Sequence, residues 1–163
     1  MNIEEKIVNC IKGLSNQVMG KSNRISTDMV KSVFVRLGHS LQWQVCATSP
    51  EAGVYSEWLF DLTWYKYNKD ADLGLGLEIG LVLESEWSNH YSDLKYDFEK
   101  LLVAKSPYKV FVFQATEAEK TACVSKFVSA IANCAHSSSG DTYIFGCWTH
   151  EKGAFDVIIK TIS

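Results

Sequence analysis

Gly80-Leu81-Val82-Leu83-Glu84-Ser85-Glu86-Trp87 is the stretch on which the fold turns. A short apolar run of this kind reads as a buried strand. Side chains of a strand alternate between its two faces. Val82, Glu84 and Glu86 therefore share one face, and Leu81, Leu83, Ser85 and Trp87 share the other. Two carboxylates at positions i and i+2, at the end of an apolar run, bring like charges together. That is unfavourable unless something positive lies between them, and a divalent cation is the natural candidate. The plainer alternative is a strand that has reached the surface, its acids simply solvated.

Working upstream, Ser56 to Tyr65 reads as another strand, with Trp58, Phe60, Leu62 and Trp64 on one face and Leu59, Asp61 and Thr63 on the other. Aspartate is depleted in strands and costly to bury unpaired, so Asp61 needs a reason to be there. Glu57 reads either as a residue standing behind the acids or, more simply, as the start of this strand. Leu41 to Ala47 alternates as a further strand, followed by a turn over Thr48 to Val54. Tyr67 to Gly76 is a polar connection. Gly74, Gly76 and Gly80 lack phosphate-loop spacing and precede no helix, so they read as turn residues. Nearer the N-terminus, Ile3, Ile7, Ile11 and Leu14 mark an amphipathic helix over about residues 2–18. Met29, Val30, Val33, Phe34 and Leu37 mark a second one, capped by Ser26 or Thr27 and stopped at Gly38.

Downstream, Ser92 or Asp93 caps a helix whose stripe is Leu94, Phe98, Leu101 and Leu102, ended by Ser106-Pro107. Lys109 to Phe113 suits a strand covered on both faces. A helix follows from Glu117 to about His136, then two strands, Tyr143 to Trp148 and Phe155 to Ile162, joined as a hairpin. Three consecutive strands imply an antiparallel meander, and strand–helix–strand implies a parallel crossover. The expected fold class is α/β, a mixed central sheet with helices on both faces, in a single domain spanning 1–163.

Composition narrows the function. A formal net charge of −3 leaves no global basic field, so a nucleic-acid partner would need a local patch or a metal. The five cysteines contain no C-x-x-C pair, which argues for free thiols in a reducing cytosol rather than zinc or disulfides. Glu4 and Glu5 precede any apolar run, unlike a secretory signal, and no stretch reaches the roughly 20 apolar residues of a membrane span. A cytoplasmic protein without a membrane partner is expected. In a mixed sheet of this order the Asp61 and Glu84 strands are neighbours, so Asp61, Glu84 and Glu86 can meet in a cleft. Hard oxygen ligands of this type select Mg²⁺ or Mn²⁺, which can activate water and neutralise charge on a phosphodiester.

These residues resemble the PD-(D/E)XK, restriction-endonuclease-like nucleases. The likeness lies in the αβββαβ order, an isolated aspartate on the second strand and an acid pair closing the third, and it spans about residues 28–113. Asp61 sits in Leu59-Phe60-Asp61-Leu62, with Phe60 where the pattern has proline. Glu84-Ser85-Glu86 sits where (D/E)-X-K would be, with Glu86 in place of the lysine, as in E-X-E members. Other members supply the lysine from the neighbouring helix, and Lys95-Tyr-Asp-Phe-Glu-Lys100-Leu-Leu offers Lys95 and Lys100. The resemblance implies a Mg²⁺-dependent nuclease acting on DNA. Asp61 and Glu84 would bind the metal, helped by the Ser85 carbonyl, and Glu86 would ligate further or orient the attacking water. A lysine, Lys100 by resemblance, would stabilise the nucleophile or the developing charge. The missing lysine beside Glu84 and the net negative charge define an alternative: a catalytically inactive nuclease fold used as a binding or assembly module, with a second copy of itself or a partner protein.

Overall fold

The computed structural model describes residues 1–68 and 76–163. In chain order its elements are α1 (Ile3–Gly13), α2 (Ser15–Val18), α3 (Asn23–Ser40), β1 (Gln44–Ala47), β2 (Val54–Tyr55), β3 (Leu62–Asn68), β4 (Gly76–Glu86), α4 (Tyr91–Val103), β5 (Tyr108–Gln114), α5 (Glu117–Asn133), β6 (Thr142–Thr149) and β7 (Ala154–Thr161). The strands form one seven-stranded sheet in the order β2-β1-β3-β4-β5-β6-β7. Pairs β1/β3, β3/β4 and β6/β7 are antiparallel, whereas β4/β5, β5/β6 and β1/β2 are parallel. The expected meander, crossover and final hairpin are all present in this mixed sheet. Most of the glycine-containing connection read over 67–76, including Gly74, lies outside the described residues.

Helices cover both faces, and the alternation in β4 sets which residue meets which layer. Leu81, Leu83 and Trp87 join Ile7, Ile11, Phe34 and Val35 in one core. Val82 joins Leu94, Phe98, Leu101 and Phe127 in the other. Strand β5 is buried on both sides, as its continuous apolar run requires. Phe127 of α5 packs against Phe98 of α4, the rings tilted with centroids 4.4 Å apart.

Several boundaries differ from the expected ones, each for a local reason. The first helix breaks at Leu14, whose N–H bonds back to Ile11 O; Gly13, a poor helix former, precedes the break. Helix α3 starts after Ser22, whose Oγ accepts from Ile25 N, and not at Ser26 or Thr27; Ser26 is buried inside the helix. It also runs through Gly38. A Cβ at Gly38 would lie 2.6 Å from Trp64 Nε1, so this glycine lets helix and strand approach rather than ending the helix. The chain turns only at Gln42, with φ of 63°, which delays β1 to Gln44. Helix α4 begins at Tyr91, with His90 in the cap position, ahead of Ser92 and Asp93.

The largest correction concerns Ser56 to Tyr65. The strand begins only at Leu62, and Ser56 to Asp61 is a non-strand segment with Trp58 and Leu59 exposed. Phe60 packs with the α4/α5 core while Leu62 and Trp64 pack with the opposite one. A single strand cannot send those alternate residues to different faces.

One pin of the sheet is ionic. Lys109 of β5 is 1% exposed, with Nζ 2.8 Å from Asp141 Oδ2 and donating to Ser106 O at 2.6 Å. Removing one member of such a pair strands the other. Lys109→Met is expected to cost about 3 kcal/mol by urea unfolding, and Lys109→Met/Asp141→Asn less than the sum of the two single changes.

Candidate functional site

The β3/β4 register is antiparallel, with Leu62 opposite Leu83 and Thr63 opposite Val82. Continuing it by one residue sets Asp61 opposite Glu84. Val82 packs into the α4 core, and Glu84, two residues on in β4, faces the same side of the sheet. Strand β3 has not yet begun at Asp61, and its carboxylate supplies the missing acceptor: Ser85 N–H donates to Asp61 Oδ2 at 2.9 Å. The need identified from sequence is met this way, from a position just before the strand rather than within it.

Glu84 is 1% exposed. Helix α4 runs over this face and brings Lys100 Nζ to 2.7 Å from Glu84 Oε1 and 2.9 Å from Asp97 Oδ1. The contact to Glu84 is an ion pair without hydrogen-bond alignment, and Glu84 Oε1 is a buried oxygen with no aligned donor. Thr63 Oγ1, on the same face, is also buried without a partner. Glu86, at the end of β4, accepts from Ser88 N–H at 2.7 Å. Lys95 turns outward and pairs with Glu99 at 2.7 Å. Of the two lysines offered by α4, Lys100 is therefore the one at the acids.

Three residues that the sequence reading did not assign to the site also belong to this cluster. Lys31 of α3, 5% exposed, lies 2.5 Å from Glu57 Oε1 and 3.9 Å from Asp61 Oδ1. Glu57 therefore belongs to the cluster rather than to a strand start. Asp97 is the third, bound to Lys100. The available signals were modest: Lys31 lies within an apolar helix stripe beside Val30, Phe34 and Val35, and Asp97 stands three residues before Lys100.

Five carboxylates (Glu57, Asp61, Glu84, Glu86, Asp97) thus meet two ammonium groups (Lys31, Lys100). The imbalance shows in the acids. Burial pushes Asp61 up to about 6, against the pull of Lys31 and the Ser85 N–H. Burial, with the charges of Asp61 and Asp97, pushes Glu84 up to about 8 despite Lys100. Burial and Asp97 also raise Glu86. Burial works to lower Lys100, but its contacts with Glu84 and Asp97 prevail and hold it above the ordinary lysine value. Of these acids burial raises Glu84 furthest, so Glu84 is the one that takes up a proton first as pH falls, while Lys100 remains an ammonium.

The donor chemistry fits a hard cation. Among the described residues no three Asp, Glu, His or Cys side chains gather closely enough to hold an ion alone. Mg²⁺ does not need three, because it commonly takes one or two carboxylates together with waters and substrate phosphate. Trp87 is buried near Trp148 and Phe155, and Tyr91 stacks on Phe127.

Fold and cluster together define a mixed α/β protein with a seven-stranded sheet and an acid–lysine cluster at the β3/β4 end of the α4 face. Compared with known proteins, the chain matches no family model, no curated protein and no solved structure. Among the described residues, no helix is long and apolar enough to cross a membrane.

Proposed function

We propose that this chain is a Mg²⁺- or Mn²⁺-dependent nuclease of restriction-endonuclease-like fold, hydrolysing phosphodiester bonds in nucleic acid, with DNA the expected substrate. The observation that carries the reading is the placement of Asp61, just before the Leu62/Leu83 pair, with its Oδ2 accepting from Ser85 N–H beside Glu84 and Lys100 2.7 Å from Glu84. Asp61, Glu84 and the Ser85 carbonyl would hold the metal, which when bound supplies Lewis-acid polarisation of a phosphoryl oxygen. Lys100, a fixed cation, stabilises negative charge developing on the phosphodiester. Glu86, whose carboxyl burial and Asp97 raise, orients the attacking water.

The test pairs binding with cleavage. Mn²⁺ at a hundredfold excess over its Kd should stabilise the protein by roughly 2.7 kcal/mol, seen as a raised Tm. Asp61→Ala should abolish that gain. Cleavage of single-stranded, double-stranded and branched DNA, and of RNA, should vanish in both Asp61→Ala and Glu84→Ala. Cleavage that survives either change rules out this site.

One observation favours a second reading, the inactive binding module: Lys100 already contacts two carboxylates, and Lys31 stands beside a third. On that reading the lysines serve the fold, and Mn²⁺ leaves the Tm of the wild type unchanged.

A further inference from the structure

Asp61 ends a segment, Ser56 to Asp61, that is neither helix nor strand, and whose first four residues are exposed. Such a segment holds a fixed place only if it is tied down. One tie is Cys46 Sγ, which donates to Ser56 O at 2.9 Å. The other is Lys31, reaching across from α3. Its Nζ donates to Glu57 Oε1 at 2.5 Å and to Thr48 Oγ1 at 2.9 Å. Thr48 Oγ1 in turn donates to the same Glu57 oxygen. The third contact, to Asp61 Oδ1 at 3.9 Å, is too long for a hydrogen bond and acts through charge. Glu57 is therefore committed to Lys31 and Thr48 and is no ligand itself.

We propose that Lys31 and Glu57 are the positioning residues of Asp61. Their pair anchors the exposed segment to α3, and Lys31 attracts one carboxylate oxygen of Asp61 while Ser85 N–H holds the other. Removing either member lets Asp61 drift from its place opposite Glu84. The consequence for metal binding rests on the reading of Asp61 and Glu84 as a cation-holding pair. The positioning itself is measurable without metal, because the Ser85 amide reports where Asp61 is.

The experiment is amide hydrogen exchange on the full chain, with Mn²⁺ titration alongside. Lys31→Met and Glu57→Gln should each speed exchange at Ser85 about tenfold, toward the rate in Asp61→Ala, as expected when local protection is lost. Leu83, paired with both Leu62 and Val110, should keep its rate. Mn²⁺ affinity should fall by roughly 10- to 100-fold, the usual cost of losing an orienting partner. The double variant should be no worse than Lys31→Met, since the two residues act as one unit. Glu57 is exposed, so Glu57→Gln decides the matter if Lys31→Met fails to fold. Unchanged Ser85 exchange in Glu57→Gln overturns the proposal, even with a loss of overall stability. A wild type that ignores Mn²⁺ while Ser85 responds as described removes the cation-pair reading and leaves the positioning in place.

Discussion

Lys100→Met is expected to lower the cleavage rate by about 10²- to 10³-fold, the scale of losing one charge-stabilising donor, while Mn²⁺ still binds. Lys100 Nζ is held between Glu84 and Asp97, at 2.7 and 2.9 Å, with about a third of the side chain exposed at 32%. Those contacts keep its pKa above the ordinary lysine value. A lysine held as a cation cannot be the general base. On the proposed nuclease reading its contribution is charge, offered to a substrate from the exposed part of the side chain. The loss should therefore fall on kcat more than on KM, as for an interaction made in the transition state. The pH profile of cleavage should show no limb from a titrating lysine. Lys95→Met is the control: its ammonium is exposed and bound to Glu99, so the rate should not change. Lys100→Arg should recover part of the rate, because the charge is restored but not the compact ammonium. Full cleavage by Lys100→Met would remove the residue from the chemistry.

The parts of this site differ in how far the sequence encodes them. Strand β4 is legible because its pattern is local: period-two alternation sends Val82 to the α4/α5 core and Leu81 and Leu83 to the other. Lys100 follows from the family resemblance alone, because the helix pattern sets it away from the Phe98/Leu101/Leu102 stripe and puts Lys95 nearer to it. With Phe98 and Leu101 turned into the core, Lys100 is left on the flank beside Glu84. The strand start is not legible, because Trp58, Phe60, Leu62 and Trp64 alternate as a strand would, while the chain is not yet strand at Asp61, whose carboxylate accepts from Ser85 N–H. Alternation in sequence does not reveal where the ladder begins. Lys31 lies beyond local pattern altogether, since its partner Glu57 is 26 residues away. Burying an ammonium there makes sense only once the fold has supplied the carboxylate.

The free protein should lose stability as pH rises from about 5 to about 8, against the usual course for carboxylates. The ordinary values of the Asp61 and Glu84 carboxyls, 3.8 and 4.5, apply to the unfolded chain, whereas burial in the fold pushes them up to about 6 and about 8. Between those limits the folded state binds more protons than the unfolded one, so raising the pH favours unfolding. Each carboxyl contributes about 1.4 kcal/mol per pH unit within its own window, and the two together on the order of 5 kcal/mol by the top of the range. The loss levels off above about pH 8, where both are ionised in either state. Glu84→Gln tests the sign directly, because the difference between it and the wild type cancels other titrating groups. Glutamine keeps the shape without the ionisation, so the variant should be the more stable protein at pH 8 and should gain nothing from Mn²⁺. In the wild type Mn²⁺ should flatten the slope, since a cation takes over what the proton does at lower pH, and its affinity should climb across the same window. A free wild type that grows more stable relative to Glu84→Gln from pH 5 to 8 would mean that Lys31 and Lys100 already balance the cluster. The acid pair would then have no call for a metal.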